Sequence, residues 1–178
     1  MATGSPEGLD EVKGFINTVS LESDDPYTGP DRLPEWLEAT GRLPGASPEQ
    51  LSELRLFREA LRKVLEANAG DGDAQAAWRA LEPFGRGCCL KVEIRDSGPV
   101  LRAEGTGEGA VIGSLLAKAY EAVATGTWAR LKACRKPSCR WAYYDRSKNG
   151  SGAWCSMAVC GNRMKAKRRR QKSRVSEP

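Results

Sequence analysis

Cys134-Arg135-Lys136-Pro137-Ser138-Cys139 and, after an insert of fifteen residues, Cys155-Ser156-Met157-Ala158-Val159-Cys160 are the stretches that decide the fold at the C-terminal end of this chain. Two short-spaced cysteine pairs separated by a hairpin-length insert let two tight knuckles meet across one ion, as a tetrahedral four-thiolate site requires. Pro137-Ser138 suits the turn inside the first knuckle. Two disulfides would use the same four residues. The N-terminus, MATGSPEGLDEVKG, has neither a basic start nor an apolar stretch, so no secretory signal is expected. Thiols in a reducing compartment stay free for metal. We therefore expect Cys134, Cys139, Cys155 and Cys160 to bind one Zn2+, in a closed site with a structural role.

Geometry constrains the second pair further. Positions five apart stand about 140° apart around a regular helix, so Cys155 and Cys160 cannot bind one ion from a single undistorted helix. Cys155 is expected before the helix, with Cys160 in a distorted first turn or just ahead of it. Arg140–Asp145 has strand-forming residues and Ser147–Gly152 is turn-rich. The order expected is knuckle, hairpin, then knuckle leading into a helix, a treble-clef-like finger.

Charge divides the chain at the same place. Residues 127–178 hold fifteen bases and two acids, Asp145 and Glu177, whereas residues 1–126 hold thirteen bases and twenty-one acids, a balance of −8. An acidic body joined to a basic end predicts an anionic partner confined to that end. Arg163, Lys165, Lys167, Arg168, Arg169, Arg170, Lys172 and Arg174 follow the last cysteine with no acid among them. Their number suits phosphate contacts, which give affinity and position without specificity. Arg163, beside the docking point, is also placed to reach a guanine edge. Arg146 and Lys148, at the tip of the insert, are expected to reach the backbone alongside. Like-charge repulsion predicts a helix that starts at the zinc and frays beyond about residue 168, ordering on phosphate.

The acidic body reads as mostly helical. Leu9, Val12, Ile16 and Val19 follow a helical rhythm over 7–19. Asp24–Pro30 breaks the chain. A short helix carries Leu33, Trp36 and Leu37 and stops at Gly41. Ser47-Pro48-Glu49-Gln50 has the form of a capping box opening a helix over 48–67, which buries Leu51, Leu54, Leu61, Val64 and Leu65. A briefer helix over 73–82 includes Trp78 and Leu81 and is stopped by Pro83. Alternation then replaces the helical period: Leu90, Val92 and Ile94 against Lys91, Glu93 and Arg95, with Asp96-Ser97-Gly98-Pro99 as the turn of a hairpin over about 88–104. A last helix, 109–125, places Val111, Ile112, Leu115, Leu116, Ala119 and Val123 toward a core. The fold class expected is α+β, mostly helical: an N-terminal helical domain with one β-hairpin (1–126) plus a small treble-clef-like four-cysteine zinc finger (127–178).

The finger also carries a resemblance. Cys160-Gly161-Asn162-Arg163, with Asp145-x-Ser147-x-Asn149 and Trp154-Cys155-Ser156-Met157 before it, resembles the CGNR zinc finger. Gly14-Phe15-Ile16-Asn17-Thr18 and Leu56-Phe57-Arg58-Glu59-Ala60-Leu61-Arg62 are similar to the ABATE domain that accompanies this finger in bacteria. The resemblance implies a stress-induced transcriptional regulator with the finger as its DNA-binding part. The chain departs from the family pattern at Gly152-Ala153, where the family has an arginine pair before Trp-Cys.

Nothing in the body suggests catalysis. The chain has no histidine, which removes the commonest general base. Gly105-Thr106-Gly107-Glu108-Gly109 lacks the Lys-Ser/Thr of a phosphate loop and reads as a strand-to-helix connection. Cys88 and Cys89 are adjacent, and Cys88 reads as a small core residue. No run reaches the length of a membrane helix. The function expected is a cytoplasmic, nucleoid-associated DNA-binding transcriptional regulator, not an enzyme, acting on double-stranded DNA. The acidic domain would receive a small-molecule or protein signal or mediate assembly. An RNA- or ribosome-associated protein would use the same charge, with Trp141, Tyr143 and Tyr144 as stacking residues. A zinc-thiolate redox sensor would use the same cysteines.

Overall fold

The computed structural model describes Pro6, residues 8–19, 31–96 and 98–175, with side chains as far as Gln171. The expected break at Asp24–Pro30, the first residue of the 7–19 helix, Ser97 in the hairpin turn and the side chains of Lys172 and Arg174 lie outside these. Element bounds are α1 (Leu9–Ile16), α2 (Leu33–Ala39), α3 (Pro48–Asn68), α4 (Ala74–Arg79), α5 (Glu82–Arg86), β1 (Cys89–Arg95), β2 (Gly98–Glu104), α6 (Gly107–Ala124), β3 (Leu131–Ala133), β4 (Ala142–Tyr144) and α7 (Asn162–Val175). The molecule is therefore mostly helical with two antiparallel hairpins, β1–β2 and β3–β4.

The long helix α3 is the spine. Its capping box is complete: Ser47 Oγ accepts from Gln50 N and Gln50 Oε1 accepts from Ser47 N at 2.9 Å. Such a cap contributes about 1 kcal/mol. One stripe of α3 buries Leu54, Leu61, Val64 and Leu65. Phe57, absent from the sequence-based core, is fully buried between the rings of Phe15 and Phe84. α1 contributes Leu9, Val12, Phe15 and Ile16, and α6 contributes Val111, Ile112, Leu115 and Ala119 to the same core. Val123, expected inside, is half exposed at the end of α6.

Two local expectations are corrected. Pro83 does not stop a helix; it occupies the first turn of α5, where a missing N–H costs nothing. The apolar side of β1–β2 is covered only at its base. Leu90, Val92 and Ile94 face Ala103, Leu101 and Pro99 in register, yet their exposure climbs from 38% through 60% to 78% toward the tip. Cys88 is half-buried, with its Sγ near the carbonyls of Phe84 and Gly109, whereas Cys89 is exposed.

The second hairpin packs on α3. Leu131, Ala133 and Ala142 belong to the helical core, as does Trp128 in the 3-10 turn between α6 and β3. Polar groups reinforce this seam. Asn17 both donates to Ala142 O (2.9 Å) and accepts from Ala142 N (2.8 Å), acting as a strand partner for β4. Asn68 donates to Trp128 O and Leu131 O. Arg62, fully buried, donates to Ile16 O and Arg140 O.

Candidate metal centre and basic helix

The first knuckle lies between the two strands of the β3–β4 hairpin. This corrects the expected order, in which the hairpin followed the knuckle: Leu131–Ala133 pair with Ala142–Tyr144, and Ser147–Gly152 is a loop beyond them. Cys134 N donates to Trp141 O (2.9 Å) and Cys139 N to Lys136 O (2.8 Å), closing the turn around Pro137-Ser138. Arg140 leaves the turn with φ at 46°, in the left-handed region. That conformation costs about 1–2 kcal/mol for a residue with a side chain. It is offset by α3, since Arg62 grips the Arg140 carbonyl and Glu66 pairs with its guanidinium.

The second knuckle resolves the spacing problem by distortion. Cys155 precedes a π-turn, Met157–Gly161, which contains Cys160 and runs directly into α7. Ser156 caps the turn, its Oγ accepting from Val159 N, and Gly161 N donates back to Ser156 O. The widened turn brings Cys160 round to Cys155. A β-carbon at Gly161 would meet Met157 Sδ at 2.5 Å and Trp154 Cδ1 at 3.2 Å, so the glycine makes room for these side chains. Asn162 Nδ2 donates to Ala158 O, satisfying the same turn.

The four sulfurs fit zinc. All lie within 4.8 Å of one another, with Cys139–Cys155 at 3.7 Å and Cys155–Cys160 at 3.8 Å. A regular tetrahedron with zinc–sulfur bonds of about 2.3 Å has edges of about 3.8 Å, whereas a disulfide would bring two sulfurs to about 2.0 Å. Cys134, Cys139 and Cys160 are buried. Crowding makes the charges of Cys134, Cys139 and Cys155 interdependent. The Cys139 thiol's hydrogen bond draws Cys134 down to about 5, and the same bond, with burial, pushes Cys139 well up. Burial and the neighbouring Cys134 charge push Cys155 up to about 12. Thiols coupled in this way become thiolates together only around a cation. With every position filled by cysteine, one structural Zn2+ completes the site and leaves no open position for catalysis.

Asp145 organises the loop after β4. Its carboxylate is buried beside Lys132 Nζ (2.8 Å) and accepts from Ser147 N (2.9 Å) and Gly152 N (2.7 Å). Burial pushes this carboxyl up, but Lys132 and the Ser147 and Gly152 hydrogen bonds outweigh it and hold it well below the usual carboxylate range. Lys132 also donates to the Gly150 carbonyl, and Tyr143 Oη donates to Gly152 O at 2.7 Å. A β-carbon at Gly152 would stand 2.7 Å from Asp145 Oδ1, so this position is closed to a side chain. Asp145→Ala is expected to leave the Lys132 charge buried and unpaired and to cost about 3–5 kcal/mol. Denaturant unfolding of the zinc-loaded protein checks this; a loss under about 1 kcal/mol would mean the pair is surface-like. Since the folded carboxyl is depressed, the pair's contribution is full above the ordinary aspartate range. It fades as pH falls through the lower folded value.

Most of the finger's bases fall into two groups. Arg130, Lys132, Arg135 and Arg140 are used inside the protein: Arg130 on the carbonyls of Asp145 and Ser147, Lys132 on Asp145, Arg135 on Asp71, and Arg140 on Glu66. Arg163, Lys165, Lys167, Arg168, Arg169 and Arg170 line α7 and are exposed, as are Arg146 and Lys148 on the loop. α7 continues to Val175 rather than fraying near 168. Its Arg, Lys, Met, Ala and Gln are strong helix formers, which outweighs like-charge repulsion of a few tenths of a kcal/mol per pair. Sequence reading missed Lys132 and Asp145. The signal was there: Asp145 is the one acid between residues 127 and 176.

A four-thiolate zinc finger grafted by its hairpin onto a helical body is the class that this fold and site define. The chain belongs to the ABATE family, described as "Putative stress-induced transcription regulator", which matches residues 14–130. Residues 130–173 match the CGNR zinc finger. No curated protein matches the chain. These findings make it a zinc-binding protein of a regulator family, and neither family is an enzyme type. No helix among the described residues is long and apolar enough to cross a membrane.

Proposed function

We propose that the protein is a transcriptional regulator that docks α7 on double-stranded DNA. The observation that carries this reading is the partition of charge within the finger. Arg130, Lys132, Arg135 and Arg140 have partners inside the protein, while the bases of α7 from Arg163 to Arg170 are exposed on a helix that follows the π-turn of the second knuckle. Fourteen residues make a helix of about 21 Å, enough to cross a major groove about 12 Å wide. Lys165, Lys167, Arg168, Arg169, Arg170 and Lys172 would contact phosphates. Arg163, nearest the zinc, would be held most firmly and is the candidate for a base edge. Arg146 and Lys148 would reach the flanking backbone from a loop fixed by Asp145.

In this reading residues 1–126 form the sensing or assembly domain and 127–178 the DNA-binding one, acting in the cytoplasm on the nucleoid. RNA is disfavoured by the aromatics. Tyr144 packs against the helical core and the Tyr143 hydroxyl is spent on Gly152, leaving Trp141 as the exposed ring of the three. The test is competition for a labelled duplex by unlabelled duplex and by structured RNA at equal nucleotide concentration. Duplex should compete at least tenfold better; preferential displacement by RNA would replace the DNA reading.

A further inference from the structure

β2 and α6 touch closely where the helix has no side chain. A β-carbon at Gly113 would stand 3.1 Å from Ala103 Cβ and 3.4 Å from Leu90 Cδ2, so glycine lets the base of the hairpin settle on the helix. Beyond that contact, α6 presents Ala110, Ser114 and Ala117 to the strand, small residues at i, i+4 and i+7 on one face. Large side chains there would fill the gap. Instead a groove of about 660 Å³ opens, with Leu101 and Ala103 as its opposite wall. That volume is in the range of small-molecule sites.

The groove is basic within an acidic body. Arg42 and Lys118 line the helix side, and Arg95 and Arg102, which alternate with Ile94 and with Leu101 and Ala103 along the strands, stand at the rim on the hairpin side. Each cation pair shares one carboxylate: Glu11 serves Arg42 and Lys118, and Glu93 serves Arg95 and Arg102. One negative charge against two positive ones fixes each pair and leaves it a positive charge in excess. Glu121, also on the wall, offsets part of this. Arg42 is further held by its hydrogen bond to Ser114 Oγ at 3.0 Å.

We propose that this groove binds a small organic anion. Its oxyanion group would be received by the arginines, whose planar forks match carboxylate and phosphate. Its short apolar body would lie against Leu101, Ala103, Ala110 and Ala117. The binding claim rests on the groove alone; its use as a regulatory input rests on the DNA-binding reading above. The connection is short, because α6 leads through the Trp128–Arg130 turn into β3 and the first knuckle.

Isothermal titration of the zinc-loaded full chain tests this with benzoate, phenyl phosphate, inorganic phosphate and benzamide, the neutral counterpart of benzoate. At least one aromatic anion should bind with a Kd below about 1 mM, and benzamide and inorganic phosphate at least tenfold more weakly. Comparing benzoate with phenyl phosphate identifies the preferred oxyanion. The double variant Arg95→Ala/Arg102→Ala should lose at least tenfold in affinity. Both side chains are well exposed (50% and 60%), so it should fold normally. Ala110→Phe, which fills the groove and leaves the charges in place, should also lose binding. No binding by either aromatic anion, benzamide binding equal to benzoate, inorganic phosphate equal to phenyl phosphate, or full affinity in both variants would each overturn the proposal. Duplex affinity of the same samples is measured without ligand, so failure of the DNA reading shows separately from failure at the groove.

Discussion

Exchange of Cys139 for serine is expected to release the zinc and unfold the finger from Cys134 to α7. A serine hydroxyl does not deprotonate at neutral pH to replace a thiolate, and three thiolates leave the ion's shell open. Metal binding supplies about 10–16 kcal/mol to modules of this kind. The ion's immediate surroundings offer little else to hold the two knuckles together, since the cluster around the cysteines adds only the partly buried Tyr143 and Trp154. The loss should reach the body in a limited way. Arg62 would lose its Arg140 carbonyl and Asn17 its partner in β4, at about 1–3 kcal/mol for each buried group left unpaired. The apolar core of α1, α3 and α6 should persist and melt as a separate transition. Elemental analysis, expected to show one zinc per wild-type chain and none in the variant, is read beside thermal unfolding followed by circular dichroism. A metal-free variant with an ordered finger would contradict the account. The variant should show only the body's transition; loss of the body's transition along with the finger would place the domain boundary elsewhere.

Replacing Arg168, Arg169 and Arg170 together by alanine is the second large effect. Alanine is the best helix former, so α7 should keep its helicity and any loss of binding belongs to charge. Each phosphate contact removed should flatten the dependence of log affinity on log salt by about 0.9, up to about 2.7 for the three. Affinity should fall to a similar extent on unrelated sequences, because phosphate contacts position without specifying. Anisotropy titrations on two unrelated duplexes over a salt series provide the comparison. An unchanged slope with unchanged helicity would make this stretch a solvated surface.

The residues that were legible in the sequence share one property: their partners are near in the chain or fixed by chemistry. Four thiolates in two short pairs define a zinc site wherever the knuckles fall, and Ser47 and Gln50 complete a cap within one turn. Pairing between distant residues was not legible. Leu131-Lys132-Ala133 is too short to show alternation, and its lysine reads as polar although it is buried against Asp145. Hence the hairpin was expected after the first knuckle rather than around it. Asn17 and Arg62 stand in the strings that resemble the ABATE domain, but what they bind was not legible, since these partners lie 125 and 78 residues away. The groove beside α6 was invisible for the same reason: small residues signal space only once their neighbour is known.

In the proposed function α7 binds duplex DNA by neutralising phosphates. Affinity of the zinc-loaded wild-type protein for a random-sequence duplex, followed from low to moderate salt, tests it most directly. With about five basic side chains of α7 in contact, log affinity should fall against log salt with a slope of about −4.5. A slope near zero, or no binding at the lowest salt, would contradict the claim.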